Sequence, residues 1–279
     1  MRRLLLVALV GVIAACGSHK PRCTIDVPVP ANAPFLWRVQ RGEGPVLWLF
    51  GTIHNGSAAD VPAAAWRALA SSPRFASELG NVDPDPEKLR DLARLPPGKG
   101  LDQQLATDDW WDLRDALRGV IREDDLKRTR PWYAMTRLTA TVSPPPKRTM
   151  DFALSDAAAA RKLPVDALES WDDQLSALAA AVVISDLAAA IHARHTMACE
   201  LAGLRAFYRT GDLAAMQKLL ANPRSAQLLV ARNRRWLPQL EAYLAGQGAF
   251  VAVGLAHLIG ESNLPALLHA AGYTVERSP

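Results

Sequence analysis

Short apolar runs lie near both ends of the chain, and residues with helical spacing fill the middle. Apolar runs of this length predict strands, and they lie at 35–39, 46–50, 164–168, 250–253 and 273–276, with a weaker run at 75–79. Apolar residues spaced by three and four predict helices, and they cover 62–70, 150–162, 263–271 and most of 84–145 and 171–245. The pattern predicts an α/β fold, with a mixed central sheet formed by N- and C-terminal strands and a large central helical section.

The N-terminus has the layout of a bacterial export signal. Arg2 and Arg3 give it a positive start, and the apolar residues 4–12 are too few to span a bilayer as a helix. Ile13-Ala14-Ala15 then precedes Cys16 and resembles the lipobox of bacterial lipoproteins. We expect residues 1–15 to be removed and Cys16 to be lipidated; the alternative is an ordinary secretory signal with an incidental cysteine.

The rest of the chain divides into a tether and one domain. Residues 16–34 are rich in proline and poor in core-forming residues, which predicts an extended, lipid-anchored tether. Residues 35–279 are long and apolar enough for a single globular domain. We expect this domain to face the periplasm from the bacterial cell envelope. By resemblance to known sorting behaviour, the lack of an aspartate after Cys16 favours the outer membrane over the inner.

Charge excludes one class of partner. The chain has 32 basic and 28 acidic residues, for a net charge of +4, and losing Arg2 and Arg3 with the signal leaves +2. A near-neutral domain lacks the basic surface of nucleic-acid-binding proteins. We therefore expect no nucleic-acid partner.

Two cysteines remain once Cys16 is assigned to lipid. Thiols left over in an oxidising periplasm often pair. The sequence therefore predicts a disulfide between Cys23 and Cys199, which would tie the tether to the domain; the alternative is two unpaired thiols.

Two segments share one motif: an apolar strand, a glycine, two further residues and a histidine. The first ends Gly51-Thr52-Ile53-His54, and the second ends Gly254-Leu255-Ala256-His257. Ligands of α/β sheets bind where strands end and the chain turns. If the two strands are neighbours, both histidines would reach one catalytic or metal site. The alternative is that each is a hydrogen-bonded histidine at the end of its own strand.

These segments also carry a family resemblance. Together with Arg232-Asn233-Arg234-Arg235-Trp236, the motifs 51–54 and 253–260 resemble the successive signatures of the TraB/PrgY/GumN family. The closing segment 264–275 is similar to the C-terminus of that family, and the resemblance covers residues 35–277. The family is related to the Tiki proteins, which are membrane-tethered metalloproteases, and more distantly to erythromycin esterases.

The resemblance implies a site built on both histidines and a glutamate at the end of an early strand, here Glu78. His54, Glu78 and His257 would hold a divalent metal, either manganese, cobalt or zinc, or act on its bound water. Arg232 would be the fourth catalytic residue and stabilise an oxyanion. Asn233 and Glu169 would be binding residues of the same pocket. The plainer interpretations are a surface carboxylate for Glu78 and a solvated helix residue for Arg232.

The chain departs from the family pattern at three positions. Ala231 stands where many members have a glutamate, and Leu255-Ala256 replaces the smaller pair of Gly-Ala-Gly-His. No proposed ligand is lost, but the backbone near the second histidine could be altered. These departures motivate a second interpretation, in which the fold binds a ligand without turnover.

Other chemistry is less well supported. His192, His195, Cys199 and Glu200 lie on one helical face and could bind zinc, although such spacing commonly marks a packing face. Asp151 is expected to cap its helix. The chain has no phosphate-binding glycine loop and no Gly-x-Ser-x-Gly, which argues against nucleotide enzymes and common serine hydrolases.

Two functions follow from the sequence. The first is a metal-dependent hydrolase, peptidase- or esterase-like, acting on a peptide, small ester or glycan at the envelope. The second is a lipoprotein on the same fold that binds a peptide or glycan, or inhibits, without turnover.

Overall fold

The computed structural model describes residues 33–80, 85–221 and 223–279. The predicted signal 1–15 and nearly all of the tether 16–34, including Cys16 and Cys23, lie outside these residues. Within the described residues no single helix is long and apolar enough to cross a membrane, and only one pair of helices, bent by 75° at a break, reaches that length and composition together.

Six strands form one mixed sheet. They are β1 (Leu36–Gln40), β2 (Leu47–Thr52), β3 (Phe75–Ser77), β4 (Val165–Ala167), β5 (Ala249–Gly254) and β6 (Thr274–Arg277). The order across the sheet is β4-β3-β5-β2-β1-β6. The four strands from β4 to β2 run parallel, and β1 pairs antiparallel with both β2 and β6. The predicted α/β class and mixed sheet are confirmed, and each predicted strand is present.

Thirteen α-helices occupy the rest of the described chain. They are α1 (Ala63–Ser71), α2 (Pro86–Leu92), α3 (Leu101–Gln104), α4 (Thr107–Ala116), α5 (Glu123–Lys127), α6 (Pro131–Val142), α7 (Met150–Ala160), α8 (Trp171–Ala181), α9 (Ile184–Thr210), α10 (Leu213–Leu220), α11 (Pro223–Ala245), α12 (Ala256–Ile259) and α13 (Leu264–Ala270). The bent pair is α8 with α9. The large helical section predicted between the terminal strands is therefore present.

Three apolar clusters of the described residues hold these elements together, and two of them contain most of the buried side chains. The larger core surrounds the sheet, and the central strand β5 is buried from Ala249 to Val253. The second core lies within the helical section and includes Leu113, Leu138 and Ile191 of α4, α6 and α9. Since strands with near-continuous apolar sequence are covered on both faces, the side chains that could carry chemistry lie beyond the last residues of β2 and β5.

Candidate functional site

Four site residues predicted from the sequence follow the four parallel strands. His54 lies two residues after β2, Glu78 directly after β3, Glu169 two residues after β4, and His257 three residues after β5. Because parallel strands end at the same edge of a sheet, these side chains emerge at one edge, where ligands of α/β sheets bind. The strand register aligns the ends of the four strands. Gly51 lies opposite Val253, and Ser77 lies opposite both Ala252 and Ala167.

Arg232, on α11, joins the two glutamates. Its Nη2 donates to Glu78 Oε2 at 2.6 Å and to Glu169 Oε1 at 2.6 Å, and its Nε donates to Glu169 Oε2 at 2.9 Å. The side chain is 12% exposed, against 14% for Glu78 and 0% for Glu169. Arg232 is therefore a buried ion-pair partner. Glu78 is not a surface carboxylate, and Arg232 is not a solvated helix residue.

The ring of His257 is held in one tautomer by Asn233. The amide nitrogen of Asn233 donates to the carbonyls of His257 (3.4 Å) and Ser262 (3.1 Å), so its oxygen faces His257 Nδ1 at 2.6 Å. An amide oxygen only accepts, so Nδ1 carries the hydrogen, and the lone pair of the neutral ring is on Nε2. The Trp236 ring packs against the His257 ring, with their centroids 4.4 Å apart. His257 is 2% exposed.

Glu78 lies in front of that lone pair. Its Oε1 is 3.8 Å from His257 Nε2 and accepts the N–H of Gly254 at 2.7 Å. Glycine gives the carboxylate room there, because a Cβ atom on Gly254 would be 3.2 Å from Oε1. The second motif thus contacts Glu78 twice. The Gly254 N–H donates to its carboxylate, and His257 Nε2 lies opposite the same oxygen.

Local charges set the protonation of these groups. Burial opposes ionisation of Glu78, but His257, Arg232 and the Gly254 N–H together lower its pKa to about 2. Burial, with Arg232 and His54 nearby, lowers the pKa of His257 to about 4 despite the attraction of Glu78. Burial raises the pKa of Glu169, and the charge of Glu78 adds to that effect against the opposing Arg232. At neutral pH the site therefore holds an ionised Glu78 beside a neutral His257.

His54 differs from its counterpart because its side chain is exposed. The turn that carries it is nonetheless braced by α9: Tyr208 donates to the carbonyl of Gly51 at 2.6 Å, and Asn55 donates to the carbonyl of Leu201 at 2.9 Å. The fully buried side chain of Asp60 accepts hydrogen bonds from Arg205 and Arg209 of α9. The backbone of the His54 turn is thus fixed while its ring faces solvent.

Asp151 is a site residue that sequence reasoning missed. It was expected to cap α7, but Thr149 does so, its hydroxyl accepting the N–H of Phe152 at 3.5 Å. Asp151 instead accepts the Thr52 hydroxyl at 2.8 Å, and burial raises its pKa while His54 lowers it. Asp151 lies in the first turn of α7, where an aspartate is common, so the sequence did not indicate its contact with Thr52.

Gln174 and Trp236 also belong to the site. Gln174 of α8 approaches Glu78 Oε2 with its amide nitrogen at 3.5 Å. The guanidinium of Arg232 lies 4.9 Å from the Trp236 ring, which also contacts His257. Trp236 could have been found because it is the last residue of the Arg232–Trp236 motif, whereas nothing near Gln174 marks it.

The donor types suit a divalent ion, although a complete ligand set is not assembled. Two tetrahedral ligands with bonds of about 2.1 Å lie about 3.4 Å apart, and His257 Nε2 and Glu78 Oε1 are 3.8 Å apart. Across the described residues, however, no three His, Cys, Asp or Glu side chains are grouped to hold a metal. His54 would have to complete the set by turning its exposed ring.

The alternative zinc site on α9 is not formed. His192 Nε2 pairs with Asp109 Oδ1 at 2.6 Å, and Cys199 is disulfide-bonded. The predicted partner of Cys199 is Cys23, which lies outside the described residues, so that pairing stays a prediction.

The whole domain matches one protein family. Residues 35–277 match the TraB/PrgY/gumN family. The chain belongs to this family. The resemblance based on the two Gly-x-x-His motifs is thereby confirmed over the range it was expected to cover. None of the curated proteins and none of the solved structures matches the chain.

Within this TraB/PrgY/gumN member, the departure at Leu255 has a structural role. Leu255 is 1% exposed, and its backbone N–H donates to Thr52 at 2.8 Å. A Cβ atom on Gly51 would be 2.6 Å from Leu255 Cδ1. The glycine of the first motif therefore makes room for the leucine of the second, and the two motifs pack directly against each other. Ala231 is exposed on α11.

Proposed function

We propose that this TraB/PrgY/gumN protein is a hydrolase, peptidase- or esterase-like, whose reaction takes place at the edge formed by β2, β3 and β5. The observation that carries the proposal is the pairing of a neutral His257, its lone pair on Nε2, with an ionised Glu78 at 3.8 Å. Two acceptors that face each other across this gap favour a ligand that supplies a proton or a positive charge between them.

Each residue has a role that its contacts support. Asn233 fixes the tautomer of His257, so that Nε2 can accept a proton from a reacting group. Arg232 keeps Glu78 ionised and is a cation beside the site, suited to a developing negative charge. A divalent ion held by His54, Glu78 and His257 would polarise a carbonyl and activate water. Family membership adds to the proposal, since the matched range includes all of these residues.

The test is a turnover screen with matched variants. The purified protein is incubated with a mixed peptide library and a panel of small esters, without added metal and with Mn²⁺, Co²⁺ or Zn²⁺, and products are identified by mass spectrometry. We expect turnover by the wild type, and a loss of at least about 100-fold in Glu78→Gln and His257→Ala, as removal of an acid–base group produces. His269→Ala, an exposed histidine on α13, is the control that keeps full activity.

Two results would contradict the proposal. One is the absence of product from the wild type with every substrate and metal. The other is turnover that Glu78→Gln and His257→Ala leave unchanged, which would place the chemistry elsewhere.

A non-catalytic binding protein is the second candidate, favoured by one observation. Both oxygens of Glu78 and both of Glu169 already accept hydrogen bonds within the protein, an arrangement that also suits a fixed binding surface. A groove of about 510 Å³ is lined by Leu229, one turn before Arg232 on α11, and by Ala256, the residue before His257. Binding of a peptide from the same library, or of a glycan tested separately, without any product would support this candidate.

We also propose that the domain is anchored to the bacterial envelope through a lipid on Cys16 and faces the periplasm. The support is the charged and apolar N-terminus ending at Ala14-Ala15-Cys16. Metabolic labelling with a fatty acid tests it: we expect label in the wild type and in Cys23→Ala, and none in Cys16→Ala. Density fractionation of the labelled membranes then distinguishes the outer from the inner membrane. Labelled Cys16→Ala protein would contradict the anchor.

A further inference from the structure

The first turn of α7 holds the His54 segment from both sides. Before the histidine, the Thr52 hydroxyl donates to Asp151 Oδ1 at 2.8 Å. After it, the Met150 N–H donates to the carbonyl of Gly56 at 3.1 Å. Met150 is fully buried, and its sulfur lies so close over Gly56 that a methyl group there would collide with it. Asp151 is therefore fixed opposite a short segment with His54 at its centre.

Beyond the hydrogen bond from Thr52, the Asp151 carboxylate faces charged groups of the site. Thr149 caps the helix in its place, and the charged groups facing Asp151 are His54 and Glu78. Within the described residues the His54 ring makes no hydrogen bond of its own. A half-buried carboxylate thus lies within electrostatic reach of an exposed imidazole whose backbone is held by hydrogen bonds on both sides.

We propose that Asp151 is a positioning residue that orients the imidazole of His54, as Asn233 orients that of His257. An acceptor at one ring nitrogen selects the tautomer and directs the other nitrogen to its ligand. The two histidines of the site then have separate acceptors, an amide on α11 for His257 and a carboxylate on α7 for His54. The purpose of this arrangement rests on the proposed function, but its test does not require activity.

The test measures the tautomer of His54 by nitrogen NMR. The purified protein is labelled with ¹⁵N-histidine and studied at about pH 8.5, where an ordinary histidine is neutral. The signal is assigned by its loss in His54→Ala. We expect one dominant tautomer in the wild type, and a ratio of tautomers changed by about two- to tenfold in Asp151→Ala, the effect of losing one ordinary hydrogen bond.

Matched variants keep the result interpretable. Asp156→Asn alters an exposed aspartate of the same helix that pairs with Arg148 and should leave the ratio unchanged. Thr52→Val releases Asp151 Oδ1 without removing the charge and should move the ratio in the same direction by less. If Asp151→Ala does not fold, Thr52→Val and Asp151→Leu, which also removes the acceptor, carry the test. An unchanged ratio in the folded variants would overturn the proposal.

The outcomes also separate this inference from the proposed function. A changed tautomer ratio in a protein that turns over no substrate would retain the role of Asp151 and reject the hydrolase. Wild-type turnover with an unchanged ratio in Asp151→Ala would retain the hydrolase and reject the role of Asp151.

Discussion

The two Gly-x-x-His segments are alike in sequence and unlike in the folded protein. Both follow central parallel strands, and Thr52 lies opposite Gly254 in the pairing of β2 with β5. After β5 the chain enters α12 almost at once, and His257 is buried under Trp236. After β2 the chain turns along the surface, and His54 stays exposed. One motif therefore delivers a fixed neutral ring and the other delivers a free ring on a fixed backbone.

The difference comes from a third element that the motif does not contain. Helix α11 supplies Asn233, Arg232 and Trp236, and all three contact His257 or its partner Glu78. His54 is served instead by α7 and α9, which hold its backbone. A repeated motif thus predicts where two side chains start, while the helices packed over each one decide how it behaves.

Removing the guanidinium of Arg232 should have the largest effect on the buried residues around His257. Arg232→Ala leaves Glu78 and Glu169 buried without a partner, and we expect the free energy of unfolding to fall by about 3–5 kcal/mol. Urea titration followed by tryptophan fluorescence measures it. Arg235→Ala, which breaks an ion pair with Asp173 that is 51% and 42% exposed, should cost less than about 1 kcal/mol. Equal losses in the two variants would show that Arg232 is not a structural centre.

Replacing each histidine with alanine compares the two segments directly. His257→Ala removes a packed ring and leaves the Asn233 oxygen without a donor, so we expect it to cost about 2–4 kcal/mol of stability. His54→Ala removes an exposed ring and should stay within about 0.5 kcal/mol of the wild type. Similar losses in the two variants, by the same urea titration, would remove the contrast between them.

Acid should weaken the His257 segment before the rest of the site. Its pKa is about 4 in the folded protein against an ordinary 6.5. Between these values the unfolded chain binds the extra proton, so the free energy of unfolding falls as pH drops from about 6.5 to 4, by roughly 2–3 kcal/mol. Unfolding of the wild type, His257→Ala and His54→Ala across this range is the measurement. Above about pH 5, where Glu78 does not yet take up a proton, the slope should disappear only in His257→Ala, and its persistence there would assign it to another group.

The glycines of the two motifs give the smallest expected difference. A Cβ on Gly51 would meet Leu255 at 2.6 Å, with the Leu255 Cα at 3.2 Å, whereas one on Gly254 would first meet Glu78 Oε1 at 3.2 Å. We expect Gly51→Ala to cost roughly 1–3 kcal/mol through overpacking. Gly254→Ala should cost less, because a carboxylate can shift by a few tenths of an ångström. The midpoint of thermal unfolding would rank the two, and the reverse order would contradict the packing argument.

Much of the fold was predictable because its strands carry their own signal. The continuous apolar runs that became β2 and β5 predict buried central strands, and the glycines after them predict turns at a sheet edge. The weak run at 75–79 ended at Ser77, so Glu78 was found by family resemblance rather than by pattern. The two histidine segments converge only because β2 and β5 are neighbours in the sheet. Local sequence does not reveal a pairing between strands so far apart in the chain.

The parts of the site that could not be predicted are contacts between distant elements. Asp151 reaches Thr52 across 99 positions, and Gln174 reaches Glu78 across 96. Each side chain has ordinary helical surroundings in the sequence, so only the packing of α7 and α8 against the sheet reveals its role. A sequence motif also does not show how deeply its residues are buried. The motifs therefore did not predict that His54 is exposed and His257 buried.

The central place of β5 has a consequence for how the chain acquires its structure. This strand lies between β2 and β3, yet it is made after nearly all of the chain, because it begins only at Ala249. Until it arrives, β2 and β3 each present an unpaired apolar edge, the kind of surface that invites association between chains. Pairings this distant also fold slowly. We therefore expect the nascent protein to depend on chaperones that shield these edges, and truncation before β5 to give aggregates rather than a partly folded domain.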